Sequence, residues 1–222
     1  MWVPPTVRGG PAVRWLSLLI GLALFAAGIV MLLESRLGLS PWDVLNQGIA
    51  KHTPLSFGIA NTVVALVVLA VAWRLGAAIG VGTVANAVLI GVFVDLLLRT
   101  HVFAGVRNAA LVPRALVLVA GILVIGAASA LYIGGALGAG PRDSLMLVLS
   151  HRTGRRAGVV RTVLESSVTA VGFALGGTVG VGTFAFALGV GPAIEVSFWL
   201  LEHSPLAVEV QPVVAPSTIG TG

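Results

Sequence analysis

Leu37-Gly38-Leu39-Ser40-Pro41-Trp42-Asp43-Val44-Leu45 returns 100 positions later as Leu137-Gly138-Ala139-Gly140-Pro141-Arg142-Asp143-Ser144-Leu145. The same ungapped shift carries Gly80-Val81-Gly82-Thr83 onto Gly180-Val181-Gly182-Thr183, Gly58 onto Gly158, Gly91 onto Gly191 and Asp95 onto Glu195. Between 37–99 and 137–199, a window of 63 residues, 21 positions are identical. Roughly a tenth would match by chance where Ala, Gly, Val and Leu dominate, as they do in apolar spans. Identity at one third, concentrated on Gly, Pro, Asp and Thr, marks an internal duplication.

Composition sets the solvent. The 222-residue chain is 57% hydrophobic and 9% charged, with mean hydropathy +1.05. A soluble domain carries about 25% charged residues. This chain has too little polar surface to coat a water-soluble globule, so lipid bilayer is its main partner. The 13 Lys and Arg are spread along the connections, without the one-sided clustering that nucleic acid requires. With no cysteine, disulfides, thiolate nucleophiles and iron–sulfur clusters are excluded.

Outward from the repeated motif, the pattern predicts an all-α polytopic membrane protein. Residues 1–14 read as a basic N-terminal tail. Residues 15–33 form an uncharged run of 19, near the roughly 20 needed to cross a bilayer core. A cleaved signal is the alternative, but the run exceeds the usual apolar region of about 7–15 residues, and its repeat partner, 115–133, is internal. Ser40 as N-cap, Pro41 at the first helical position and Asp43 at N3 predict a short helix over 41–51, with a counterpart over 141–150. Further spans are expected at 57–73, 84–98, 158–175 and 183–201, with 100–114 as linker and 202–222 as a disordered tail. The two membrane repeats, 15–99 and 115–201, then hold three spans each, six in all. An odd number of spans makes the second copy enter from the opposite side, so the repeats are expected to be inverted. If the short helices spanned, each half would hold four and the repeat would be parallel. With the N-terminus inside, eight basic residues fall on the cytoplasmic side and five outside, which favours a cytoplasmic N-terminus.

Candidate chemistry is sparse. Asp43 and Asp143 complement the N-terminal dipoles of the short helices, or bind a cation, proton or amine at paired positions. Thr83 and Thr183 follow Gly-rich turns at helix starts, a plausible anion site; close backbone packing of two spans at a hairpin explains the glycines equally. Asp95 and Glu195 sit 12 positions further on, near span ends. Glu165 falls in the middle of the fifth span, where a charge costs about 2.5–3.5 kcal/mol, and Arg161 one turn earlier offers an ion pair. Asn61, which corresponds to Arg161, and Asn86 are the other intramembrane polar candidates. His52, His101, His151 and His203 lack metal-ligand spacing. No metal, cofactor or catalytic residue is expected, and nothing marks the chain as an enzyme.

The 37–45 motif, Gly58, the Gly80–Thr83 turn, Gly91 and Asp95 together resemble the YczE-type integral membrane proteins, loosely grouped with the YitT membrane proteins of bacteria. The likeness spans about 15–200 and implies a polytopic bacterial inner-membrane protein. It carries no settled activity and no catalytic residues. In the second copy Ser40 becomes Gly140 and Trp42 becomes Arg142, so Asp143 lacks a side-chain cap partner.

Two functions are expected from these features. The first is transport of a small solute or ion through the inverted repeat. The alternative is a non-transporting membrane scaffold or accessory subunit, which suits the small size and sparse intramembrane polarity. Six spans suggest a homodimer if a path needs more wall.

Overall fold

The computed structural model describes residues 5–206. Eight α-helices follow in chain order: α1 (Pro11–Ser35), α2 (Pro41–His52), α3 (Phe57–Arg74), α4 (Val81–Thr100), α5 (Leu111–Gly134), α6 (Pro141–Thr153), α7 (Ala157–Ala174) and α8 (Val181–Glu202). One 3-10 turn, Ala104–Asn108, lies between α4 and α5. Five helices, α1, α3, α4, α5 and α8, are long and apolar enough to cross a membrane. Their outward faces carry Leu16, Val67, Leu96, Leu116, Leu123 and Leu188, all more than half exposed, as a surface solvated by hydrocarbon should be. The sixth expected span, 158–175, is present as α7 but is not among the five. It has the 18 residues of α3, but Arg161, Thr162, Glu165, Ser166, Ser167 and Thr169 interrupt its apolar run. The first helix starts at Pro11, so Arg14 belongs to it rather than to a tail. From residue 207 onward, the expected C-terminal tail lies outside the described residues.

The centre of the bundle is the α1–α5 pair. The two run antiparallel: Gly21 of α1 abuts Ala128 and Tyr132, while Gly28 abuts Gly121 and Ile125. Small residues let the backbones approach, which is how membrane helices associate where no hydrophobic drive exists between them. Each helix also closes the other's end. Arg14 donates to the carbonyls of Gly135 and Ala136, each at 2.9 Å. Arg114 donates to those of Ser35 (2.7 Å) and Arg36 (3.1 Å). Those orphan C-terminal carbonyls would otherwise lack partners. α8 packs parallel to α5, with Gly126 against Ala193 and Gly134 against Leu201. α4 packs on α1 through Ile90 and Val94, which join Leu18, Leu22, Ala26 and Ile29 in one buried cluster.

The two short helices begin inside the bundle and end outside it. Residues 39–44 are buried whereas 51–54 are exposed; Pro141, Ser144 and Leu145 are buried whereas 151–155 are exposed. At the outer ends, Lys51 donates to the Gly176 carbonyl and Arg152 to the Leu75 carbonyl, basic groups at helix C-termini where the dipole favours them.

The loops that lead into these helices are clasped by the Gly-rich turns, each by the turn of the other half. The Gly82 amide donates to the Leu137 carbonyl at 2.9 Å and the Gly182 amide to the Leu37 carbonyl at 2.7 Å. Thr83 and Thr183 accept from the Gly80 and Gly180 amides, and Thr183 also accepts from Leu39. Gly38 and Gly138 pass these turns at φ +132° and +135°, a region closed to most L residues. A Cβ on Gly82 or Gly182 would lie 2.9 Å from the opposing backbone. The glycines therefore serve close backbone packing, as one expectation held, but between the halves rather than within a hairpin.

Candidate functional site

The N-termini of α2 and α6 face each other across a cavity of about 550 Å³. The wall takes Ser40, Trp42 and Asp43 from one short helix and Gly140, Arg142 and Asp143 from the other. Asn61, Asn86, Tyr132, Arg161 and Glu165 complete its polar surface. Six of the ten residues singled out from sequence therefore come together here: Asp43, Asp143, Asn61, Asn86, Arg161 and Glu165.

Around Asp43 the network is dense. Ser40 caps α2, donating its hydroxyl to the Asp43 carboxylate and accepting from the Asp43 amide. Asn46, fully buried, donates to Asp43 (3.3 Å) and to Asn61 Oδ1 (2.9 Å). Arg142 lies across the axis, 4.0 Å from Asp43 Oδ1, and donates to Asn61 Oδ1 at 3.1 Å. Its guanidinium also sits 5.2 Å from the centre of the Trp42 ring, within cation–π range. The residue change from Trp42 to Arg142 between copies thus becomes a contact.

Asp143 is less well provided for. Gly140 offers no side-chain cap, and among the described residues the Asp143 carboxylate accepts a single hydrogen bond, 3.3 Å from the Tyr132 hydroxyl. α2 and α6 are not among the five candidate spans, and their charges respond to the protein interior. Burial raises both Asp carboxyls from their ordinary range; Arg142 pulls Asp43 back, and Arg161 and Tyr132 pull Asp143 back. Burial lowers the Arg142 guanidinium, opposed by Asp43 and Asp143. Arg161 and Glu165 form the expected i,i+4 pair at 2.8 Å, partly exposed to the cavity.

The remaining four residues lie elsewhere. Thr83 and Thr183 belong to the clasps. Asp95 is half-buried on the seam between α3 and α4. It accepts from the Ser56 hydroxyl and, at 2.8 Å, from the Gly58 amide, so it caps the start of α3. On that seam Gly58 and Gly91 touch backbone to backbone. Glu195 is exposed and has no hydrogen-bond or ion-pair partner among the described residues. The seam it belongs to, α7 with α8, is parted: a Cβ on Gly158 or on Gly191 would meet nothing within 4 Å. α7 buries only Gly172 among its residues and leans instead on α2, where Gly48 meets Gly172 and Leu175.

Sequence reasoning missed Tyr132, Ser129 and the aromatic lining of Phe25, Phe186 and Phe198; nothing in the apolar spans distinguishes inward from lipid-facing aromatics. It also passed over Glu34, 5% exposed, which holds Arg107 in a bidentate pair that raises the guanidinium's pKa.

The architecture defines a class: an all-helical, multi-pass membrane protein whose two short helices meet N-terminus to N-terminus inside the bundle. The family of unknown function DUF6198 matches residues 12–198. An uncharacterized protein of Haemophilus influenzae is 36% identical over 188 residues, 85% of this chain and 84% of the relative. The uncharacterized membrane protein YczE of Bacillus subtilis is 31% identical over 186 residues, 83% of this chain and 85% of the relative. No solved structure matches the chain. The chain belongs to the DUF6198 family of YczE-type membrane proteins, the group that the repeated motif resembles.

Proposed function

We propose that this protein is a small-solute transporter of the bacterial inner membrane, built as an inverted repeat with a cytoplasmic N-terminus. In this reading α7 is the sixth span, its charges turned to the cavity rather than to lipid, and α2 and α6 are re-entrant half-helices entering from opposite sides. Inverted repeats with broken or half-length helices around a central site are the common plan of secondary transporters.

The observation that carries the reading is a cavity of about 550 Å³, lined from both halves, whose flanking seams differ. The α3–α4 seam is shut by Gly58, Gly91 and Asp95, and the equivalent α7–α8 seam is parted. In an alternating-access cycle the second seam shuts as the first opens. Pro192, beside Gly191, removes the backbone bond to the Leu188 carbonyl and gives α8 a bending point that α4 lacks.

Proteoliposomes bathed in a small-solute extract test this. At least one solute should accumulate by mass spectrometry in vesicles holding the native protein, and not in vesicles holding Glu165→Gln or the double Asp43→Asn, Asp143→Asn variant. Equal contents in native and protein-free vesicles would overturn the transport reading.

The scaffold reading draws on a different observation. α7 exposes Arg161, Thr162, Ser166 and Ser167, a polar face that a second copy or another membrane protein would cover. Co-purification of a stoichiometric partner, with no flux, would favour it.

A further inference from the structure

Five acidic or basic side chains, Asp43, Arg142, Asp143, Arg161 and Glu165, line the cavity, and their charges do not balance. Arg161 is joined to Glu165 at 2.8 Å. Arg142 stands 4.0 Å from Asp43 and shares Asn61 with it. Each guanidinium thus has its own carboxylate, and Asp143 is left with a long bond from Tyr132 and no ion pair within 4.0 Å among the described residues.

A second group faces the same space. Asn86, on α4, is 9% exposed and lines the cavity, yet its amide has no hydrogen-bond partner among the described residues. A Cβ on Gly140 would lie 3.5 Å from Asn86 Nδ2 and from Asp143 Oδ2 and 3.6 Å from Asn86 Oδ1, so the two side chains flank the same stretch of cavity wall. Phe25, Trp42, Tyr132 and Phe186, with Ile90, Ile125 and Val190, line the rest of the cavity.

We propose that the cavity beside Asp143 and Asn86 takes a small organic cation, an amine or methylated ammonium, with Asp143 as counter-charge and Asn86 and Tyr132 as polar contacts. The inference rests on the transport reading for its purpose, not for its geometry. A solute anion would face three carboxylates, and both helix dipoles that might attract it are already answered by Asp43 and Asp143 at N3. No group of three or more His, Cys, Asp or Glu suited to a metal ion occurs among the described residues. The cavity volume lies in the range of small-molecule sites, roughly 300–1,000 Å³, and aromatic faces attract ammonium groups.

Calorimetric titration of the purified protein with tetramethylammonium chloride, and separately with potassium acetate, tests the proposal. Tetramethylammonium should bind and acetate should not. Asp143→Asn should weaken the cation at least about tenfold, the loss expected for a charged contact. Methylammonium chloride, whose N–H groups can donate to the Asn86 amide oxygen, should bind about threefold to fivefold more weakly to Asn86→Ala, which serves if Asp143→Asn does not fold. Exposed Glu202→Gln should leave cation binding unchanged. Acetate binding without tetramethylammonium, no binding of either, or cation binding indifferent to both cavity variants would overturn the proposal. Accumulation of an anionic or neutral solute in the vesicle assay, with no cation binding, would remove this inference and keep the transport reading. Cation binding without any flux would do the reverse.

Discussion

Gly58 with Gly91 and Gly158 with Gly191 are the same residues at the same repeat positions, in opposite surroundings. The first pair presses two helix backbones together and is locked by Asp95, which accepts from Ser56 and the Gly58 amide. The second pair stands in open space, and Glu195, the counterpart of Asp95, bonds to nothing described. A glycine in mid-helix, as at Gly91 and Gly191, costs about 0.5–1 kcal/mol relative to alanine. Where a backbone presses against it, that cost has a structural reason. At Gly191 this structure shows no such reason, and a second state in which the seam shuts supplies one. The residues two positions before Gly58 and Gly158 agree with this: Ser56 donates to Asp95, and Arg156 would face Glu195 in a shut seam, a cation for the anion.

The largest expected contrast is between Gly91→Ala and Gly191→Ala. A methyl at 91 would strike the Gly58 carbonyl and Thr62, and overpacking of this kind costs typically about 1–3 kcal/mol. The same methyl at 191 has room and should change stability by no more than about 0.5 kcal/mol. Thermal melting in detergent separates them. In the vesicle assay Gly191→Leu should be stable and inactive, since it would prevent the seam from shutting; full activity would break the comparison.

Next comes Asp95→Asn against Glu195→Gln. Asp95→Asn weakens two bonds to a carboxylate and should lose about 1–2 kcal/mol. Glu195→Gln should leave stability unaltered and reduce only flux. Equal melting temperatures for the two variants would show that Asp95 does not hold its seam.

The smallest effect concerns a feature the two halves share. Arg14→Ala and Arg114→Ala each remove two bonds to helix-end carbonyls, so each should cost about 1 kcal/mol, and the two costs should agree within error. A marked inequality would mean that the α1–α5 axis is as asymmetric as the seams.

Much of the fold could be read before any coordinates. Spans, short helices and the Ser40–Asp43 cap follow from apolar length, Pro and Asp, which are local signals. The partners of the Gly-x-Gly-Thr turns could not be read, because clasping the opposite half is a long-range contact that leaves only glycine in the sequence. Arg14 and Arg114 are also 100 positions apart, but in the sequence each reads as part of a basic tail or linker, because its carbonyl partners lie more than 70 residues away. Within the site, Asp43 and Asp143 are legible as paired carboxylates at helix starts, Glu165 as a charge in a costly place with Arg161 one turn away, and Asn61 and Asn86 as polar groups within spans. Their meeting in one cavity could not be foreseen. It depends on two half-helices turning back into the bundle, and nothing local separates such a helix from one lying on the membrane surface.

The central claim is that the parted α7–α8 seam shuts during function. The chain has no cysteine, so Arg156→Cys with Glu195→Cys can be introduced without background. In a shut seam resembling α3–α4 the two side chains would meet as Ser56 and Asp95 do, within reach of a disulfide. The measurement is cross-linking of this double variant in reconstituted membranes, followed by flux before and after reduction. The account predicts that a disulfide forms, that flux stops, and that reductant restores it. A folded double variant that never cross-links, or one that cross-links and still moves solute at the native rate, would contradict it.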